Sequence, residues 1–194
     1  MLPDFVESRL RALPRGLRDH IARTRDLARE LARIHGVDEA AAGLAAACHD
    51  LARALSPAGL LDEAERLSLP VLPVERRVPI LLHGPVAAAW LEAGGDVRDP
   101  RVLDAVRWHT TGRVGMDAVE KVLFAADKAE PEKVRHNPAL AEVHDLAASD
   151  LDRAILRFLD LQMAVLIASR QPMHPRALDL RNHLLTTLSP NEPE

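Results

Sequence analysis

A histidine followed directly by an aspartate, His49-Asp50, lies near the end of an apolar, alanine-rich run, and this dipeptide constrains the chain more than any other feature. Alanine has the highest helix propensity, so the run predicts a helix from about Asp38 to about Ala54. On a helix, neighbouring side chains lie about 100° apart and can converge on one point beside the axis. A buried carboxylate beside an imidazole is costly unless a cation lies between them. We therefore expect a divalent metal ion at this point.

Length and composition indicate one globular domain. The chain has 194 residues, of which 47% are hydrophobic and 28% charged, which is enough apolar material for a sizeable core. Aromatic residues make up only 3%, so leucine, alanine and valine must build that core. The net charge of −4 provides no basic field, and we expect no nucleic-acid polymer as a partner.

The single cysteine, Cys48, excludes an internal disulfide and a thiolate-rich zinc site. A free thiol fits a reducing compartment. The first residues carry charges, for example Asp4 and Glu7, where a signal peptide would be apolar. No run reaches the roughly 18 apolar residues that a membrane-spanning helix needs. We expect a cytoplasmic protein that is not bound to a membrane.

Helical periodicity recurs along the chain, and no segment alternates with the period of a strand. Asp38, Ser56-Pro57 and Asp99-Pro100 are typical helix starts, and Gly94-Gly95 is a typical end. We predict an all-α fold, a single helical bundle of roughly eight helices over residues 1–194. Its expected parts are a ligand-bearing core over about 17–130, C-terminal helices over about 139–188 and a loose tail over 190–194.

Six histidines and aspartates are spaced widely along the chain, and each lies on a predicted helix or at a helix end. They are His20, His49, Asp50, His83, His109 and Asp127. Separate helices of a bundle can each contribute one or two ligands to a shared site. Nitrogen and oxygen ligands without sulfur favour iron, manganese, cobalt, nickel, zinc or magnesium over a structural zinc.

The order of these residues resembles the HD-domain superfamily of metal-dependent phosphohydrolases. Within it, the chain is similar to the YqeK family, the symmetrical hydrolases of diadenosine tetraphosphate. The matching stretches are His49–Arg53, His83–Val86, His109–Arg113, Glu120-Lys121, Ala126–Pro131, His174-Pro175 and Arg181-Asn182. The resemblance implies an HD fold and the cleavage of diadenosine tetraphosphate into two molecules of ADP.

The resemblance also implies the metal ligands, which would be His20, His49, Asp50 and Asp127. His83 and His109 would complete a second metal site, or contact the phosphates if only one ion is present. One or two divalent transition metals are therefore expected. The resemblance favours iron, and the sequence leaves manganese, cobalt and nickel open.

Cleavage of a phosphoanhydride needs an in-line nucleophile and stabilisation of charge on the phosphoryl oxygens. A metal lowers the pKa of a bound water and so supplies hydroxide at neutral pH. On this interpretation Asp50, His83 and His109 act at the reacting phosphate. The expected substrate contacts comprise His83, His109, Arg53, Arg113, Lys133 and Arg181. Among the cations, Arg53 is the first candidate because it follows His49 by about one turn.

Other interpretations stay open at this point. The same metal centre would serve an HD nucleotidase or phosphatase acting on nucleoside mono- or triphosphates. A non-catalytic module that binds a nucleotide, or a structural bundle with incidental histidines, are further alternatives. In each enzymatic case the partner is a small dinucleoside polyphosphate or nucleotide. The helix expected over 150–169 could pair two subunits as a homodimer, and Leu69–Pro79 could form a lid.

Overall fold

The computed structural model describes residues 2–95 and 97–188, and this part of the chain is built from helices with no strand. Twelve α-helices occur there: α1 (Asp4–Ala12), α2 (Arg15–Ile34), α3 (Glu39–Cys48), α4 (Pro57–Arg66), α5 (Pro73–Arg77), α6 (His83–Gly94), α7 (Pro100–Trp108), α8 (Ala118–Ala129), α9 (Pro131–His136), α10 (Ala141–Ala147), α11 (Leu151–Ala168) and α12 (Pro175–Leu188). Two short 3-10 helices cover Pro79–Leu82 and Pro138–Leu140. The predicted all-α class is confirmed, whereas the predicted tail at 190–194 lies outside the described residues.

The number of helices exceeds the roughly eight that were predicted. The additional helices include α1, α5 and α9, which are nine residues long or shorter. Helices of this length are marginal on their own and depend on tertiary contacts, so periodicity does not reveal them. Helix α5 lies within Leu69–Pro79, the segment that the sequence left open as a lid.

The predicted helix over 38–54 is wrong at its end. Asp38 caps α3 as expected, but the helix stops at Cys48, and residues 49–54 form successive turns. The His49 ring nitrogen Nδ1 lies 2.7 Å from the Ala46 carbonyl, which a helical N–H would otherwise reach. Arg53 therefore follows Asp50 through a turn, with its N–H 3.0 Å from the Asp50 carbonyl. It does not lie on one helical face with His49.

Helix α8 lies at the centre of the described fold. It packs against α2, α3, α7, α10 and α11. Every residue from Val122 to Ala129 is buried, as expected of a helix that neighbours surround. The end of α8 thus carries Asp127 into the interior, close to the ends of α3 and α7.

None of the helices in the described ranges combines the length and the apolar character that crossing a membrane requires.

Candidate metal centre

The fold brings the six predicted histidines and aspartates to one place, where α2, α3, α6, α7 and α8 meet. Their nitrogen and oxygen atoms form three overlapping groups, each with all its atoms within 4.8 Å of one another. The groups are His20, His49 and Asp50; His49, His109 and Asp127; and Asp50, His83 and His109. All six side chains are buried except His20, which is partly exposed.

His49, His83 and His109 share one local arrangement. Each is the C-cap residue of a helix, α3, the 3-10 helix Pro79–Leu82 and α7 respectively. Each places its Nδ1 atom against the carbonyl three residues earlier, at 2.7 Å for His49 and His109, and His83 contacts Ile80 in the same way. Because Nδ1–H donates to a carbonyl, the neutral ring presents an unprotonated Nε2.

These Nε2 atoms point at one another. The Nε2 atoms of His83 and His109 lie 2.9 Å apart, and those of His20 and His49 lie 3.3 Å apart. Two lone pairs at such distances repel unless a cation or a proton lies beside them. Imidazoles held by a carbonyl at Nδ1 are the usual form of histidine metal ligands. The donor set therefore fits a divalent transition metal.

Asp50 lies between two pairs of histidines, His83 with His109 and His20 with His49. Its Oδ1 atom lies 3.0 Å from His83 Nε2 and 3.7 Å from His109 Nε2. Its Oδ2 atom lies 3.5 Å from His49 Nε2 and 3.7 Å from His20 Nε2. Burial opposes the charge of Asp50, but the surrounding imidazoles outweigh it and hold the pKa of this carboxyl well below its usual range. Asp50 is thus a buried anion that faces both pairs of nitrogens.

Asp127 is the second carboxylate that faces the pair His20 and His49. Its Oδ1 atom lies 3.2 Å from His20 Nε2 and 3.6 Å from His49 Nε2. Two lysines contact the same carboxylate, Lys128 at 2.5 Å on Oδ2 and Lys133 at 2.7 Å on Oδ1. Burial opposes the charge of Asp127, but these two ammonium groups outweigh it and lower the pKa well below its usual range.

Sequence reasoning missed a role for Glu130, which appeared only within the matching stretch Ala126–Pro131. This carboxylate is buried, lies 3.3 Å from His20 Nδ1 and accepts a hydrogen bond from Arg23 Nε at 2.7 Å. It therefore orients the His20 ring from behind and turns Nε2 toward Asp50 and Asp127. The available signal was its spacing of three residues from Asp127, on the same side of the end of α8.

Gly84 permits the close approach of α6 to the end of α7. A Cβ atom at this position would lie 2.9 Å from the carbonyl oxygens of Val106 and Arg107, and 3.2 Å from the His109 ring. Backbone atoms cannot give way as a flexible side chain can. The missing side chain of Gly84 therefore helps to bring His83 and His109 together.

The four cationic residues that were predicted to contact the substrate have different surroundings in the structure. Lys133 touches the cluster through Asp127, and Arg53 is exposed beside it in the turn after Asp50. Arg113 is held by Glu120 at 2.7 Å and Asp104 at 3.3 Å, and Arg181 by Asp160 at 2.6 Å. The substrate-binding roles of all four residues stay predictions.

A mostly apolar cavity of about 150 Å³ opens beside the cluster. Thr110 connects the two, because it lines the cavity and its Oγ1 atom lies 3.2 Å from His109 Nε2 and 3.4 Å from His83 Nε2. The remaining walls come from the segments after α5 and α7, the C-terminal half of α11, the segment between α11 and α12, and the first turn of α12. They comprise Val78, Leu81, Thr111, Gln162, Met163, Leu166, Gln171, Pro172, Met173, His174 and Ala177.

Comparison with known proteins gives consistent results. Residues 17–152 match the HD domain family. A Bacillus subtilis protein named symmetrical bis(5'-nucleosyl)-tetraphosphatase is 34% identical over 167 residues, which cover 86% of this chain and 88% of that protein. A Staphylococcus aureus protein of the same name is 30% identical, over 88% of each chain. A Clostridium acetobutylicum crystal structure described as a predicted HD superfamily hydrolase involved in NAD metabolism superimposes with a TM-score of 0.89 at 27% identity, covering 95% of this chain and 97% of that one.

Proposed function

Because the chain belongs to the HD domain family, we propose that it is a metal-dependent hydrolase that cleaves dinucleoside polyphosphates symmetrically, converting diadenosine tetraphosphate and water into two molecules of ADP. Relatives that are 30–34% identical over most of their length carry the name of this activity. The observation that carries the proposal is the convergence of four imidazoles and two carboxylates on one buried point.

The proposed metal ligands are His20, His49, Asp50 and Asp127 for one ion, with His83, His109 and the other oxygen of Asp50 for a second. The separation of the two Asp50 oxygens supports two ions, because each oxygen faces its own pair of imidazoles. We propose iron as the natural metal, with manganese, cobalt or nickel able to substitute. Imidazole and carboxylate ligands without thiolate suit all four.

A divalent ion bound there supplies positive charge toward phosphate oxygens and a water molecule whose pKa lies near neutrality. The protein residues do the positioning. Carbonyl contacts at Nδ1 fix the rings of His49, His83 and His109, and Glu130 fixes His20. We expect Asp50, His83 and His109 to act at the reacting phosphate. The Thr110 hydroxyl faces the same nitrogens and can donate to a phosphoryl oxygen.

Lys133 and Arg53 are the cations that best suit the phosphate chain. Lys133 reaches the same Asp127 oxygen that faces His20 and His49, so a substrate phosphate beside the ions would lie within its reach. Arg53 is exposed in the turn after Asp50 and can form two hydrogen bonds to one phosphate. Arg113 and Arg181 would first have to exchange their carboxylate partners for phosphate.

We also propose a cytoplasmic location, which the single, buried thiol of Cys48 supports. A homodimer through α11 belongs to the same proposal. The exposed apolar side chains of Val165 and Ile167 on this helix support it, and the mass of the protein in solution tests it.

The deciding experiment combines metal analysis of freshly purified protein with identification of the products formed from diadenosine tetraphosphate. We expect one or two iron ions per chain and ADP as the only product. The Asp50→Ala variant should lose both, and the exposed Asp62→Ala should retain both. Metal without ADP formation would overturn the assigned substrate and redirect the assay to nucleoside mono- and triphosphates. Absence of metal from folded protein supplied with iron and manganese would overturn the metal centre itself.

A further inference from the structure

A second buried acid–base pair lies apart from the six clustered residues. Glu75 in α5 and His174, which directly precedes α12, are 99 positions apart in the sequence, and Glu75 Oε1 lies 3.3 Å from His174 Nε2. Their side chains are only 8% and 4% exposed. Burial of a carboxylate and an imidazole is costly, so a pair kept in this position requires a reason.

The hydrogen bonds around the pair define its protonation. The Arg176 N–H donates to His174 Nδ1 at 3.2 Å, so His174 caps the first turn of α12 and the proton of the neutral ring lies on Nε2. That proton is donated to Glu75, whose other oxygen accepts the Leu72 N–H at 2.7 Å. His174 is thus the opposite tautomer from His49, His83 and His109, and its Nε2 is a donor, unlike that of a metal ligand. The pair ties the start of α5 to the start of α12.

Segments that adjoin these two elements form two walls of the cavity beside the metal centre. Val78 and Leu81 follow α5, whereas Met173 and His174 precede α12 and Ala177 lies in its first turn. The volume of about 150 Å³ is smaller than the ~300–1,000 Å³ of sites that enclose a whole drug-sized ligand, so it suits one ring system rather than a whole dinucleotide.

The chemistry of the walls favours a flat aromatic occupant. Met163 and Met173 line the cavity, and thioether sulfurs make favourable contacts with aromatic rings. The amides of Gln162 and Gln171 add hydrogen-bonding groups to the lining. Thr110 joins this cavity to the metal centre, so a base seated here would leave its phosphates beside His83 and His109.

We propose that Glu75 and His174 are positioning residues that hold the two walls of a base-binding cavity together, and so determine how tightly the nucleoside end of the substrate binds. This inference rests on the proposed function, because it assigns one part of the dinucleotide to the cavity. The pair touches neither the metal ligands nor the reacting phosphate. Its loss should therefore weaken nucleoside binding and leave the hydrolytic step intact.

Three variants separate the link between the walls from the helix cap. Glu75→Gln leaves an amide that cannot accept from both Leu72 and His174 as the carboxylate does. His174→Asn keeps an oxygen that can cap α12 and removes the reach to Glu75. His174→Gln keeps a donor that can reach Glu75 and weakens the cap. Lys121→Met is the control, since it removes a link at 2.8 Å between α8 and Asp152, outside the cavity lining.

The experiment measures kcat and KM for diadenosine tetraphosphate, and the inhibition constants of ADP and of inorganic pyrophosphate, on metal-loaded protein. We expect Glu75→Gln and His174→Asn to raise KM and the inhibition constant of ADP about tenfold, the scale of a lost pocket contact. The kcat and the pyrophosphate constant should stay within about twofold of the parent. His174→Gln should fall between these variants and the parent, and Lys121→Met should match the parent.

An equal loss of ADP and pyrophosphate binding would overturn the inference, because it would indicate general damage to the site. An unchanged KM in folded Glu75→Gln and His174→Asn would overturn it as well. If the parent protein does not cleave diadenosine tetraphosphate, the proposed function fails. Calorimetric binding of ADP against pyrophosphate to the parent and the same variants then still decides whether the pair supports a base-binding cavity.

Discussion

The Nε2 atoms of His83 and His109 lie 2.9 Å apart, and neither carries a proton in the neutral ring, because both Nδ1 atoms contact carbonyls of their own chain segments. Burial and the nearby rings of His83 and His49 lower the pKa of His109 to about 3, although Asp50 opposes this shift. The ring is therefore neutral at physiological pH. Two imidazole nitrogens that face each other beside the Asp50 carboxylate form a site for a metal cation.

Gly84→Ala should separate this histidine pair. The added methyl group would meet the carbonyls of Val106 and Arg107 at 2.9 Å, so α6 or the end of α7 must shift. A displacement of the order of 1 Å at a reacting group can lower activity about 100-fold. We expect kcat/KM to fall by about that factor, with weaker metal binding, as measured by steady-state kinetics and metal titration.

The matched control is Gly16→Ala in α2, where a Cβ atom would meet nothing within 4 Å. This change should preserve activity and raise the free energy of unfolding by up to about 1 kcal/mol, because alanine favours a helix. Full metal affinity in Gly84→Ala would show that the spacing of α6 and α7 does not control the site.

Glu130→Gln should weaken metal binding without removing a ligand. The Glu130 carboxylate contacts His20 Nδ1 and Arg23, and replacement by an amide lowers the basicity of the His20 ring and leaves Arg23 without its charge partner. Loss of such an outer partner typically costs about 10- to 100-fold in metal affinity or activity. Metal titration with a fluorescent competitor measures the change.

Glu132→Gln serves as the control, since Glu132 is exposed and pairs with Arg135 within one turn of α9. Its metal affinity should equal that of the parent. If both variants lose affinity equally, the effect of Glu130 comes from net charge and not from its contact with His20.

Glu75 should make a pH-dependent contribution to stability. Burial raises the pKa of this carboxyl, but the His174 ring and the Leu72 N–H outweigh burial and lower the folded-state pKa below the ordinary 4.5. A lowered folded pKa contributes stability above the unfolded value, and this contribution is lost as pH falls through the folded value. At neutral pH the free energy of unfolding of the parent should therefore exceed that of Glu75→Gln by about 1.5 kcal/mol, the scale of a hydrogen bond to a charged group. Thermal unfolding measures this difference.

The gap between the two proteins should narrow as pH falls below about 4.5. His174→Asn should follow the same profile as Glu75→Gln, because it removes the principal partner of Glu75. A gap that stays constant down to pH 3 would contradict the assignment and would indicate that Glu75 contributes through packing alone.

Much of the fold follows from local signals. Asp99-Pro100 and Gly94-Gly95 mark helix boundaries within one residue, because capping and left-handed glycine are local chemistry. The end of α3 was not predictable in this way. An alanine-rich run favours helix beyond Cys48, but α3 ends there, and His49 contacts the Ala46 carbonyl within a site formed by distant residues.

The six clustered residues could be found from sequence because their type and order are distinctive. Their supporting contacts could not. Glu130 and His174 appeared only within the matching stretches Ala126–Pro131 and His174-Pro175, with no role of their own. His174 does cap α12, but its bond to Glu75 connects elements 99 positions apart. Such pairings depend on tertiary packing, which no local pattern encodes.

The carbonyl contacts of His49, His83 and His109 have a further consequence for how the site assembles. Each ring is oriented by a hydrogen bond to the backbone three residues before it, so these rings need no ion to align them. In small zinc domains, by contrast, metal binding and folding are a single event. Here carbonyls in the last turns of the preceding helices hold the donor nitrogens of these three histidines in position. We therefore expect metal binding to follow folding, as a separate step, instead of driving it.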